Sequence, residues 1–436
     1  MRSLDRSGSG NGPKWARADD EALWAGGMDI VRMLHEGGFE AYLVGGCVRD
    51  RMLGRPIGDV DIAASALPEQ VAAAFARTLP TGLRHGTVTV IHHDRMYEVT
   101  TYRTETGYLD ARRPDHVTFV RDIREDLARR DFTINAMAYG LGGEWVDLYG
   151  GRGDLERRVI RCVGDPVQRF GEDALRMVRA IRFASTLEFR IAKSVWRGIR
   201  AQAPRLRQVA MERIGAEWDK MMAGPHPDRA CGLLLRSGLL ACLREPLPTA
   251  VAAADRLGSR SAAAEKGGIR RLGEFAEPDV RWMAFLAAAG CSAREADETC
   301  RALRMSGKRA ARIAAAIAFR SRMEAGAAES LQPDRAAFVM AVLDFGRQAA
   351  HDWLAVSGGQ AARCQAWLEE LPADNVKQLA VRGDELTARL RRKPGPWVAL
   401  VLRKLLEDAA LGRVANDKET LLRAASVHAP ECGDRK

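Results

Sequence analysis

The feature that most constrains the fold of this chain is a change of periodicity at Gly150-Gly151. Before it, short β-rich runs stand between glycine or charged clusters: AYLVG at 41–45, DVDIA at 59–63, TVTVIHH at 87–93 and MYEVTTY at 96–102. Runs this short, bounded by turn residues, predict the strands of a small sheet. Two helical stretches lie among them. One spans Glu21 to His35 and is stopped by Gly37-Gly38; the other, SALPEQVAAAFARTL between 64 and 79, has Pro68 near its first turn. After Gly150-Gly151 helical spacing dominates from about 170 onward, interrupted by loops such as AGPHPD (223–228) and RLGSRSAAAEKGG (256–268). Pro394-Gly395-Pro396 opens a further helix. The expected architecture is a small mixed α/β head followed by an elongated all-helical neck, body and tail.

Length and charge narrow the field. A chain of 436 residues can bury large cores and house about two to four domains. The net charge of +10 fits a polyanionic partner. Its eight cysteines are scattered without a CxxC pair, which argues against a zinc site or a disulfide framework and fits reduced thiols. The N-terminal MRSLDRSGSGNGPKWARADD lacks the apolar core of a signal peptide, and no apolar run is long enough for a membrane span. A cytoplasmic protein with a disordered lead-in over residues 1–20 is expected.

Chemistry concentrates in LVGGCVRDRMLGRPIGDVDIA, residues 43–63. Asp59 and Asp61 are spaced i, i+2, so on a strand both carboxylates face the same side. Like charges so placed repel unless something positive sits between them. A hard divalent ion such as Mg²⁺, which takes one or two carboxylates plus substrate phosphates, meets that need. Glu98, on the later run MYEVTTY, can join them from a neighbouring strand. Two ions held this way would activate an attacking hydroxyl and stabilise a departing pyrophosphate. Alone, an Asp-x-Asp is more often a pair of surface acids. Here Gly45 and Gly46 allow close backbone approach with amides turned towards a phosphate, and Arg49 adds a guanidinium at the start of a helix. Asp50 suits a structural pair with a nearby arginine.

A Gly-Gly turn, a helix bearing Arg49, then Asp-x-Asp on the next strand is the layout of the nucleotidyltransferase superfamily. GGCVRD with DVDIA resembles the class II tRNA nucleotidyltransferase and bacterial poly(A) polymerase family. ARRDFTINAMAY (128–139) is similar to that family's RRDFTxNA motif, and FGEDALRMVRAIRFA (170–184) to its EDxxRxxRxxRF helix. RTETGYLDARRPDHVTFV (103–120) resembles the flexible loop that orders the site for the final addition. The resemblance implies a nucleotidyltransferase head, Mg²⁺ at Asp59 and Asp61, and nucleotide contacts from Gly45, Gly46, Arg49, Arg130, Arg179 and Arg182.

Read as one helix, 170–184 places Glu172, Asp173, Arg176, Arg179 and Arg182 on a broad arc, with Ala174, Met177, Val178 and Ile181 opposite. An ordinary amphipathic helix would look alike, with Glu172 and Arg176 a routine i, i+4 pair. The resemblance gives the arc a task. A carboxylate accepts from N4 of cytosine or N6 of adenine, while a guanidinium donates to ring nitrogens and carbonyls. A pair of Asp173 and Arg176 would therefore accept C and A and reject U and G, with no nucleic-acid template.

Within the family, PTGLRHGTVTV (80–90), the AMAY ending and KPGPWVALVLRKLLEDAALGRVANDKETLL (393–422) resemble the CCA-adding branch. That implies CTP and ATP as substrates and a tRNA gripped at its 3′ end and elbow, with no membrane partner. The alternative is a poly(A) polymerase using the same head on general RNA ends. Expected segments are the lead-in 1–20, a catalytic head 21–150, a neck 151–222 with the base-selecting helix, a body 223–310 and a tRNA-binding tail 311–436. His351-Asp352 reads as ordinary helix, not as part of a metal phosphohydrolase site.

Overall fold

The structure is a computed structural model and describes residues 14–106, 116–252, 269–327, 334–357 and 361–428. The lead-in before Lys14, residues 107–115 of the 103–120 segment and the 256–268 loop lie outside these residues. The chain forms two compact units: Met1–Glu217 with Ser237–Arg244, and Trp218–Arg236 with Glu245–Lys436.

The first unit is built on a seven-stranded sheet. Its strands are β1 (Ala41–Val44), β2 (Asp61–Ala64), β3 (Thr78–Gly82), β4 (Thr87–His92), β5 (Arg95–Thr101), and, after the hairpin β6 (Arg103–Thr106) and β7 (His116–Phe119), β8 (Ala138–Tyr139) and β9 (Trp145–Val146). The spatial order is β3-β4-β5-β2-β1-β8-β9, and only β2 and β5 run parallel. Every residue of β1 is buried, because both faces of the sheet are covered. On one face Tyr42, Val44, Ala63 and Ala138 pack with Tyr102 and with Ile123 and Leu127 of α4 (Ile123–Ala128). On the other lies α1 (Lys14–Glu36), whose Gly26-Gly27 pair sits against the sheet. A Cβ on Gly27 would fall 2.7 Å from Val60, and one on Gly26 would overlap Tyr97. Two glycines weaken a helix by about 1 kcal/mol each, so this close seat offsets a real local cost.

Two boundaries differ from expectation. α1 begins at Lys14, inside the segment taken as lead-in. The helix expected over 64–79 is confined to α3 (Pro68–Ala74), because Thr78 and Leu79 pair with Val90 and Thr89 as the edge strand β3. That edge is largely exposed and lacks a buried face, so no alternation marks it in the sequence.

Beyond the sheet come α5 (Gly151–Glu156), α6 (Pro166–Glu172), α7 (Leu175–Thr186), α8 (Lys193–Gln202) and α9 (Met211–Ala223), within which the division into units falls. A two-stranded parallel ladder, β10 (Val159–Ile160) with β11 (Arg190–Ile191), ties the segment together. The stretch 170–184 is not one helix. Asp173 is extended (φ −136°, ψ 105°) and accepts a hydrogen bond from the Leu175 amide at 3.0 Å, ending α6 and starting α7. Aspartate favours such local backbone bonds over a helix interior. Ala174, Met177, Val178 and Ile181 are buried as the spacing predicts.

The second unit is helical. Its longest helix, Gly307–Ala327, packs with Pro278–Ala288, Ala293–Ala302, Arg335–Phe345 and Arg347–Val356. Trp218, Trp282 and Phe285 form one aromatic cluster; Phe319, Phe338, Trp353 and Trp367 form another. Arg309 bridges Asp219 and Asp279. The helix Trp397–Ala410 follows Pro396, as the Pro-Gly-Pro signal predicts. His351 is exposed, whereas Asp352 is buried against Arg312 at 2.7 Å.

Gly151 offers a direct test of the packing behind the site. A Cβ there would lie 2.3 Å from the Thr133 carbonyl oxygen, which belongs to the turn Thr133–Asn135. Gly151→Ala should destabilise the first unit by roughly 1–3 kcal/mol in urea denaturation, whereas Gly58→Ala, at an open position, should perturb no packing contact.

Candidate active site

The strand register builds the acidic part of the site. Val44 is paired with Asp61, and Asp61 is paired with Glu98 across the parallel β2–β5 ladder, so both carboxylates lie on the face that carries Tyr42 and Val44. Asp59 precedes β2 and is exposed. Burial raises the pKa of Asp61 to about 6, with Asp59 and Glu98 adding to the shift and Arg130 opposing it. Among the described residues no ion pair is made to these three acids. Nor do they bring their oxygens within 4.8 Å of one another as a set. A set of unpaired carboxylates on one sheet face has the donor chemistry of a hard divalent cation site.

The Gly-Gly turn leads straight from β1 into α2 (Gly46–Met52). Gly45 has φ 78° and ψ −127°, a conformation costly for any side chain. A Cβ there would meet Arg130 Nη1 at 2.9 Å and Asp61 Oδ2 at 3.6 Å, so the turn lies against one acid and one arginine of the site. Gly46 lies beside Arg49, where a Cβ would be 3.7 Å from Nη2. Arg49 is buried. It donates to Asp50 at 3.0 and 2.7 Å and to Asn135 Oδ1 at 2.6 Å.

The arginines, unlike the acids, all have partners. Fully buried Asp126 accepts from Arg129 at 2.7 Å and Arg130 at 3.2 Å. Burial would raise its pKa, but those two guanidinium groups bring it below the ordinary value. Asp131 receives Arg179 Nε at 2.8 Å, Asn135 Nδ2 at 3.1 Å and the Phe132 amide at 2.8 Å. Against the upward push of burial, Arg179 and Asn135 hold its pKa low. Arg182 donates to Glu217 at 2.5 Å. Arg49, Arg179 and Arg182 also surround the Phe183 ring, with guanidinium carbons 5.1, 5.2 and 4.0 Å from its centroid.

The two residues expected to read the base are not paired with each other. Arg176 donates to Glu172 at 2.8 Å and to the Arg129 carbonyl at 2.8 Å. Asp173 is held by Arg213 of α9 at 2.9 Å. Sequence reasoning missed Arg213, Glu217, Asp126 and Phe183 as site residues. Asp126 lies two residues before one quoted motif and Phe183 inside another, but nothing in the local spacing marks Arg213 or Glu217.

A two-glycine turn, an Asp-x-Asp strand and an arginine cluster over a mixed sheet define a nucleotidyltransferase. Residues 41–161 match the family model for the poly A polymerase head domain, 188–247 that for a probable RNA- and SrmB-binding site of polymerase A, and 274–425 that for a putative tRNA nucleotidyltransferase domain 2. The chain is 40% identical to the CCA-adding enzyme of Geobacillus stearothermophilus over 400 residues, 90% of this chain and 94% of that one. It is 37% identical to that of Limosilactobacillus fermentum over 408 residues, 91% and 95% of the two. The crystal structure of the Bacillus stearothermophilus CCA-adding enzyme in complex with CTP matches with a TM-score of 0.77 at 35% identity, covering 93% of this chain and 97% of that one. The Thermotoga maritima CCA-adding enzyme complexed with tRNA, at 19% identity and a TM-score of 0.62, shares the fold. This chain belongs to the CCA-adding enzyme family, and nucleotidyl transfer there depends on a divalent metal.

The raised pKa of Asp61 sets a pH signature. In the chelated protein the folded state keeps a proton up to about pH 6 that the unfolded chain releases near pH 4, so this group's contribution to stability falls across that window as pH rises. Wild type and Asp61→Asn should be similarly stable near pH 4. Above pH 6.5 the variant should be more stable, by on the order of 2 kcal/mol, in urea denaturation with EDTA.

Proposed function

We infer that this protein adds CCA to the 3′ end of tRNA from CTP and ATP, releasing pyrophosphate, without a nucleic-acid template. The observation that carries this reading is its identity of 35–40% to CCA-adding enzymes along nearly the whole chain. Nothing favours a poly(A) polymerase beyond the shared head. Action on tRNA goes with a cytoplasmic location, and among the described residues no helix is long and apolar enough to cross a membrane.

The residue roles are proposals on that basis. Asp59 and Asp61 would hold Mg²⁺, with Glu98, in register with Asp61, as a third acid. When bound, the ion supplies charge neutralisation for the triphosphate and the attacking 3′-hydroxyl. Gly45 and Gly46 let the backbone approach the phosphates, while Arg49, Arg130, Arg179 and Arg182 bind the nucleotide. Asp173 and Arg176 choose the base: the carboxylate accepts the exocyclic amino group that C and A share and U and G lack, and the guanidinium donates to the neighbouring acceptors. To do so Asp173 must loosen from Arg213 and Arg176 from Glu172. Each is an exchange of a charge-assisted hydrogen bond inside the protein for one to the nucleotide, so it is near balanced for the right base and uphill for the wrong one. The enzyme's contribution is positioning and preorganised charge. Residues 21–150 would form the catalytic head, 151–222 the base-selecting neck, 223–310 the body and 311–436 the tRNA-binding tail. Phosphate contacts would make tRNA binding weaken steeply with salt.

Labelled nucleotides offered singly and in pairs to tRNA lacking its 3′ CCA test the activity. Two C additions, then one A and a stop, are expected; an open-ended A tail would move the protein to the polymerase branch. Asp59→Ala should lower turnover roughly a hundredfold or more while tRNA binding by gel shift persists. Asp173→Asn should reduce discrimination of C over U by roughly tenfold or more, and unchanged selection would remove Asp173 from base choice.

A further inference from the structure

A second cluster of ligating groups lies in the first unit, away from the nucleotide-binding residues. Asp29 of α1 stands beside His92, the last residue of β4, and His93, in the turn before β5. One ligand atom from each lies within 4.8 Å of the other two, and this is the one such triad of metal-ligating groups among the described residues. Asp29 Oδ2 is 3.9 Å from His92 Nε2 and 3.8 Å from His93 Nε2. We propose that Asp29, His92 and His93 bind one divalent transition-metal ion of the zinc class, which clips α1 to the β4–β5 hairpin.

Geometry and chemistry both support a built site. Ligands about 2.0–2.1 Å from a tetrahedral ion stand about 3.3 Å apart, so closing the two separations from Asp29 takes roughly half an ångström each. His93 is 69% exposed at its side chain and free to make that adjustment. His92 Nε2 is sealed from solvent and has no hydrogen-bond partner. A buried ring nitrogen in that condition loses its hydration without return unless it meets a ligand. Burial and the neighbouring His93 also lower the pKa of His92, which favours the neutral imidazole. The backbone supplies a separate observation. His93 and Asp94 occupy the two-residue turn with φ of 48° and 57°, a left-handed pair where Asn-Gly is the favoured sequence. Histidine carries a conformational cost there, and the turn brings its ring to 4.0 Å from that of His92.

The donor set selects the ion. Two imidazoles and one carboxylate suit zinc, nickel or copper, whereas magnesium takes oxygen ligands and keeps its waters. The head would thus hold two chemically distinct sites: the all-carboxylate set on one sheet face, and this nitrogen-rich set at the end of the hairpin. Asp29 is already braced, with Oδ1 accepting from Arg32 at 2.6 Å and Oδ2 turned to the histidines. The ion's effect would be on stability, because α1 seats its Gly26-Gly27 pair against Tyr97 and against Val60, the residue between Asp59 and Asp61.

Untagged full-length protein, stripped with chelator, should be titrated with Zn²⁺ in competition with a chromophoric chelator and with Co²⁺ for its visible absorption, both in excess Mg²⁺. One equivalent should bind in wild type and in Asp59→Asn/Asp61→Asn, with a nitrogen-ligand Co²⁺ spectrum and a raised melting temperature. His92→Gln/His93→Gln should lose affinity by roughly tenfold or more. His93→Asn, which suits the left-handed turn, should fold at least as well and still lose affinity, which separates ligation from misfolding. Equal Zn²⁺ affinity in wild type and the histidine variants, or loss of binding in the Asp59→Asn/Asp61→Asn variant alone, would overturn the proposal.

Discussion

A guanidinium taken out of water without a partner costs several kcal/mol, and this head gathers many of them in one small region. The cost is met by two buried carboxylates of a single stretch. Asp126, within α4, takes Arg129 and Arg130; Asp131 takes Arg179 and, through Asn135, steadies Arg49. Four arginines from three separate elements are thereby fixed relative to the Gly-Gly turn. The same stretch is anchored from behind, where Thr133 donates to buried Asp154 at 2.8 Å and Gly151 packs against the Thr133 carbonyl. Removing either carboxylate would leave buried guanidinium charge without its partner, so the positions of these four arginines depend on this pair.

The two signs of charge are treated differently. Arginines are paired and held; Asp59, Asp61 and Glu98 make no ion pair among the described residues, and burial, with Asp59 and Glu98 adding to it, raises the Asp61 pKa to about 6. Such an arrangement stores unfavourable electrostatics at the acids and satisfies it at the arginines. A cation relieves the first directly. In the role proposed for these arginines, a nucleotide would compete with Glu172, Asp173, Asp131 and Glu217 for guanidinium groups already in use. Its net binding energy is therefore a difference between two sets of charge-assisted bonds. That makes selection sensitive to small mismatches, since a base that fails to replace one internal bond leaves a buried group without a partner.

How much of this was legible in the sequence follows from the range of each interaction. That Glu98 could join the aspartates from a neighbouring strand was legible in its place within MYEVTTY, whereas its register against Asp61 is set by a ladder between strands distant in the chain. The core side of α7 was legible from the spacing of Ala174, Met177, Val178 and Ile181. What failed was local competition: Asp173 capped the backbone of Leu175 and broke a stretch whose apolar spacing continued without interruption. Likewise Thr78 and Leu79 left an alanine-rich helix to pair with β4. Arg213 and Glu217 were invisible for a different reason. Each meets its partner across a long sequence gap, and their own surroundings in α9 read as any amphipathic helix.

Phe183 shows why motif spacing alone does not yield a site. Its ring sits among Arg49, Arg179 and Arg182, two from its own helix at i−4 and i−1 and one from α2. An aromatic face attracts cations without accepting a directional hydrogen bond, so it can keep three like charges close while leaving their N–H groups aimed elsewhere. A carboxylate at this position would neutralise one guanidinium and draw its donors inward, away from a ligand. The ring thus lowers the repulsion among the arginines without taking their N–H donors, which go instead to Asp50, Asn135, Asp131 and Glu217.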